Sequence, residues 1–126
     1  MNSNVCSILF KLPAPLIIIT LWILSSRSAL SVIKGPLGFD KLLHFSAYAA
    51  LSAAAGLWFS PESRLTRPML VFLICAAVAS GYGIIDELHQ YFVPGRSCSI
   101  FDWVADILGG AAGAALILAA ARLWKI

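Results

Sequence analysis

Apolar residues run through this chain in four long blocks, separated by three short stretches that are polar or carry Gly and Pro. The blocks cover residues 8–30, 42–59, 69–92 and 102–123. A helix needs about 20 mostly apolar residues to cross a bilayer, with roughly 17 to 25 tolerated. Each block therefore predicts a membrane-crossing helix. The expected fold class is all-α: an integral membrane four-helix bundle with short connecting loops at Ser31–Phe39, Ser60–Pro68 and Val93–Phe101. The first block, with Lys11, Pro13 and Pro15 near its start, has a second reading as a cleaved leader ending at small Ser26 and Ser28. It is taken here as the first helix of the bundle.

Composition supports lipid as the solvent. Of 126 residues, 60% are hydrophobic and only 12% charged, against about a quarter charged in soluble domains. The three cysteines, Cys6, Cys75 and Cys98, form no CxxC pair and imply neither a disulfide framework nor a zinc site. The net charge of +3 is small and its cations are divided between two membrane sides, which excludes a nucleic-acid surface.

Charge placement adds the candidate chemistry. Four spans would put Lys11, Arg64, Arg67, Arg122 and Lys125 on one side with Glu62. The other side holds Arg27, Lys34, Lys41 and Arg96 with Asp40, Asp86, Glu87, Asp102 and Asp106. The positive-inside rule, with Lys41 and Arg96 set aside as site residues, predicts that both termini are cytoplasmic. Five of the six acids thus gather at one bundle end. At about 100° per residue, Asp40, His44 and Tyr48 share a face of the second helix. Gln90, Glu87 and Gly83 share one on the third, and Asp102, Asp106, Gly109 and Gly113 one on the fourth. Each polar top continues into a stripe of small residues, which let membrane helices approach closely and could equally join two copies of the chain. The expectation is a polar cap in which these side chains face one another.

Asp40-Lys41-x-x-His44-x-x-x-Tyr48, then Glu87-x-x-Gln90-x-Phe92-x-Pro94-Gly95-Arg96, then Asp102 with Gly109 and Gly113 resemble the VanZ-like family, from about Asp40 to Gly113 and in the family's order. The resemblance implies one VanZ-like transmembrane domain over residues 1–126, in the bacterial cell envelope. It implies a connection to glycopeptide, specifically teicoplanin, resistance, and site residues Asp40, Lys41, His44, Tyr48, Glu87, Gln90, Arg96 and Asp102. Asp106 departs from the pattern: an Asn is common there, and an ionised carboxylate can only accept hydrogen bonds. Asp106 is added to the candidate ligand-binding set.

Several of these residues have plainer explanations. Asp40 is placed to cap the second helix, and Ser99-Ile-Phe-Asp102 reads as a capping box. Glu87 has no such alternative, because the C-terminal end of a helix disfavours an anion. Glu87 and His44 are therefore the candidate acid/base pair, and Arg96 the anion clamp. Asp86 is borderline, His89 points about 130° away from the Glu87/Gln90 face, and Trp22, Trp58, Trp103 and Trp124 read as interfacial anchors.

Two functions follow. The first is a binding protein for the headgroup of a membrane lipid or lipid-linked cell-wall precursor. The second is a membrane enzyme acting on such a substrate, although no HExxH or nucleophile elbow is present. A divalent-metal version would use Glu87, Asp102, Asp106 and His44, but no ligand spacing is diagnostic, so no metal or cofactor is expected. A transporter ranks last, because transport sites lie near the midplane.

Overall fold

A computed structural model of the chain describes residues 8–28 and 38–124. The end of the first apolar block, most of the first connection and Lys34 and Lys125 lie outside the described residues. All described elements are helices: α1 Pro13–Ser25, α2 Phe39–Gly56, α3 Pro61–Thr66, α4 Pro68–Tyr91 and α5 Ile100–Trp124.

Local chemistry sets the breaks. One helical turn over residues 8–11 ends at Leu12, and Pro13 opens α1 in the first turn, where a missing N–H is harmless. Gly38 precedes α2 at φ +85°, a left-handed conformation that a residue without Cβ adopts freely. The connection expected at Ser60–Pro68 is itself helical. Ser60 accepts a hydrogen bond from the Ser63 backbone N–H at 3.1 Å, Pro61 follows it, and α3 runs until Pro68 starts α4. After α4, Val93-Pro94-Gly95-Arg96 closes a turn, with the Arg96 N–H donating to the Val93 carbonyl. Gly95 at φ +77° behind Pro94 is the pairing that a type II turn requires.

The four longer helices run alternately up and down. Trp58, past the end of α2, donates to the Lys11 carbonyl before the start of α1, and Tyr82 of α4 donates to the Ile18 carbonyl. Tyr48 of α2 reaches Asp86 of α4, and Trp103 of α5 donates to the Ser80 carbonyl of α4. Consequently α2 and α5 lie parallel to each other, and they form the closest contact in the bundle. A Cβ at Gly109 would collide with the Phe45 carbonyl, and one at Gly113 with the Ala49 carbonyl. Backbone thus meets backbone along the expected small-residue stripe, the arrangement glycine permits between membrane helices.

Two apolar clusters fill the interior. Ala14, Tyr48, Leu51, Ala54 and Ala79 form one, and Ala55, Val71, Cys75, Ala114 and Leu118 the other. Outside, Leu16, Ile19, Ile23, Leu73, Ile85, Leu108 and Leu116 are exposed, an apolar surface that water would disfavour and lipid covers. Three helices are long and apolar enough to cross a membrane: Ile8–Ser25, Pro68–Tyr91 and Ile100–Trp124. The second expected span, α2, is not among them, since Asp40, Lys41 and His44 in its first two turns lower its hydropathy. Trp22, Trp58 and Trp124 are exposed near helix ends. Trp103, expected as an anchor, is half-buried with its indole N–H bonded inside the bundle.

Candidate functional site

The polar residues meet where α2 and α5 begin and α4 ends. His44 stands one turn into α2, and its Nδ1 lies 2.9 Å from Oδ1 of Asp106 on α5. A carboxylate can only accept, so Nδ1 carries the proton when Asp106 is ionised. Asp106 is fully buried. Its Oδ2 faces Gly83 of α4, where an added Cβ would approach it to 2.8 Å. Glycine at position 83 therefore makes room for the carboxylate.

Glu87 joins them from α4. The Ser99 backbone N–H, at the N-terminus of α5, donates to Glu87 Oε2 at 2.6 Å. This changes the expected capping box. The Asp102 N–H does approach Ser99 Oγ, at 3.4 Å, but the reciprocal acceptor for the Ser99 N–H is Glu87 of the neighbouring helix rather than Asp102. The α5 dipole thereby supplies favourable positive potential to an acid that its own helix disfavours. Asp102 is left for Lys41, whose Nζ lies 2.5 Å from Asp102 Oδ1 and 2.5 Å from Asp40 Oδ2. Hydrogen bonds to Asp102 and then Asp40 raise the Lys41 pKa, and the bond from Lys41 holds the Asp40 carboxyl below its ordinary range. Gly38 rather than Asp40 occupies the cap position of α2, and the Asp40 side chain is 57% exposed.

A third group surrounds Asp86, which is 3% exposed. Tyr48 Oη donates to its Oδ2 at 3.1 Å and Gln90 Nε2 donates to the same oxygen at 3.2 Å. Position 86 was borderline by helical phase. Its burial follows from α2, which brings Tyr48 against the 86/90 side of α4 while α5 takes the 83/87 side. His89 faces α1 instead. Its ring stacks on Trp22 with centroids 3.8 Å apart, and its Nε2 lies 2.8 Å from Ser26 Oγ.

A cavity of about 410 Å³ opens between α1, α2, α4 and the loop after α4. Leu21, Leu24, Leu43 and Ala47 give it an apolar wall, while His44, Tyr48, Asp86, Gln90, Arg27 and Arg96 supply polar groups. Arg96 forms no ion pair among the described residues, and its Nε is buried without a hydrogen-bond partner. Of the nine candidate residues, Asp40, His44, Tyr48, Gln90 and Arg96 line the cavity. Lys41, Glu87, Asp102 and Asp106 lie in the adjoining polar cluster. Arg27 and Asp86 belong to the same wall, and the sequence reading did not assign them. Arg27 follows the end of α1, and only the packing of that helix against α2 and α4 brings it to the cavity.

Fold and site together define an all-helical membrane protein with a polar cluster and an amphipathic cavity at one end of its bundle. The family model described as VanZ/LLP1 matches residues 5–123, nearly the whole chain, and the protein belongs to that family. No curated protein and no solved structure matches the chain.

Proposed function

We propose that this protein binds the anionic headgroup of a membrane lipid or lipid-linked cell-wall precursor at the outer face of the bacterial cytoplasmic membrane. In this reading α2 also crosses the bilayer, both termini are cytoplasmic, and the cavity opens at the extracytoplasmic face. Occupancy of the cavity would alter teicoplanin susceptibility by changing access to cell-wall precursors.

The observation that carries this reading is the pairing of an apolar wall with Arg96. Leu21, Leu24 and Leu43 offer a surface for the first part of an acyl or prenyl chain. Arg96 offers a guanidinium whose buried Nε has no partner, and a guanidinium fits a phosphate oxygen pair bidentately. Arg27 at the same rim adds a second cation. A buried donor without a partner costs about 1–3 kcal/mol, which a bound phosphate would recover.

Native mass spectrometry of the protein in nanodiscs tests this, comparing undecaprenyl phosphate and phosphatidylglycerol with neutral phosphatidylcholine. Both anionic lipids are expected to bind more tightly than the neutral one. Arg96→Ala is expected to weaken them by roughly 10- to 100-fold, the equivalent of losing one charged hydrogen bond. Equal affinity for the three lipids, or unchanged binding by folded Arg96→Ala, refutes the reading. The enzymatic alternative rests on His44, a cavity-lining imidazole oriented by the Asp106 carboxylate, which is the geometry of a positioned general base. Turnover of a labelled lipid substrate that is lost in His44→Gln would establish it.

A further inference from the structure

The structure assigns a divalent transition-metal site to His44, Glu87 and Asp106, a function beyond the headgroup reading and independent of it. Each of the three offers one donor atom, and these atoms all lie within 4.8 Å of one another. They come from three helices, α2, α4 and α5, so the set exists only in the folded bundle.

A second observation points to a ligand. Glu87 Oε1 and Asp106 Oδ2 are buried and have no hydrogen-bond partner, in residues only 4% and 0% exposed. Buried charges are found paired or bound to metals, because an unpaired ion out of water is strongly disfavoured. The neighbouring cations do not serve these two oxygens. Lys41 is held between Asp40 and Asp102, and Arg96 forms no ion pair with either acid. His44, if protonated, balances one carboxylate and leaves the other. A dication balances both.

The ligand chemistry narrows the metal. One imidazole and two carboxylates are a nitrogen and oxygen set. Imidazole suits zinc and neighbouring first-row metals, while calcium and magnesium favour oxygen alone. Three protein ligands also leave positions open, as in catalytic rather than structural zinc sites. Asp102, which the sequence also offered as a ligand, falls outside the set because Lys41 engages it.

The full chain is purified in detergent, stripped with EDTA and titrated with Zn²⁺ and Mn²⁺ in the absence of anionic lipid. One ion per chain is expected. Glu87→Gln and His44→Gln should each weaken binding by at least tenfold, whereas Glu62→Gln, an exposed acid of α3 at the other end of the bundle, should leave it unchanged. Bound Mn²⁺ should show pulsed-EPR coupling to an imidazole nitrogen, which His44→Gln removes. Should a variant fail to fold, the nitrogen coupling of the native protein decides alone. Absence of stoichiometric binding, absence of that coupling, or full retention by both folded variants overturns the assignment. Lipid binding measured in EDTA keeps the two readings separate: either can fail without the other.

Discussion

Gly113→Ala puts the closest contact of the bundle under test. The added Cβ would stand 2.8 Å from the carbonyl carbon of Ala49 and 2.9 Å from its Cα, and nearer still to the carbonyl oxygen. Carbon atoms in good contact lie about 3.5–4.0 Å apart. The obstacle is backbone, so no side chain can swing aside, and α2 must withdraw from α5 by about 1 Å. Overpacking of this kind costs about 1–3 kcal/mol, partly offset by alanine's better helix propensity, worth up to about 1 kcal/mol. Gly81→Ala provides the reference. It makes the same chemical change on α4 where nothing lies within 4 Å of the new Cβ, so it should gain the propensity without the clash. Unfolding by SDS titration in mixed micelles, followed by circular dichroism, should place Gly113→Ala about 1–3 kcal/mol below Gly81→Ala. Gly109→Ala should behave like Gly113→Ala, since Phe45 backbone opposes it in the same way. If Gly113→Ala matches Gly81→Ala in stability, the two helices do not meet backbone to backbone and the described packing is wrong.

Other consequences involve the polar residues. Tyr48→Phe deletes the phenol donor to Asp86. It should lower stability by about 1.5–3 kcal/mol, the range for a hydrogen bond to a charged group, and a micelle unfolding curve no different from wild type would contradict that. Lys41→Met should destabilise the fold by freeing Asp102. Because the Lys41 pKa is raised, the pair's contribution is complete below the ordinary lysine value of about 10.4 and is lost only as pH rises through the higher folded value. The deficit of Lys41→Met should accordingly be equal at about pH 6 and about pH 9. A deficit that disappears at the lower pH would show that Lys41 is not the group responsible.

Much of the helical plan was legible in residue order. Each of the four apolar blocks became a helix, and the stripe from Asp102 through Asp106 and Gly109 to Gly113 is a buried face of α5. The connection expected at Ser60–Pro68 contains a helix over Pro61–Thr66, for which Ser60 and Pro61 are a usual opening. α2 is less apolar than the other three long helices because Asp40, Lys41 and His44 occupy its first turns. Asp86 sits at the border of its helix face, and phase along α4 alone does not say which neighbours take which side. Asp40 and Asp102 looked like caps, and only the position of Lys41 between them shows where their oxygens go.

The amino-acid order by itself determined that this is a lipid-solvated, all-helical chain with five of its six acids gathered at one end. Helical periodicity and hydropathy are properties of neighbouring residues, so they can be read locally. Which groups pair was decided by tertiary structure alone: Glu87 with the Ser99 amide, His44 with Asp106, Lys41 with Asp102. Those pairs join residues 12 to 62 positions apart, and a hydrogen bond depends on separations within 3.5 Å that only the rotation and depth of packed helices can set.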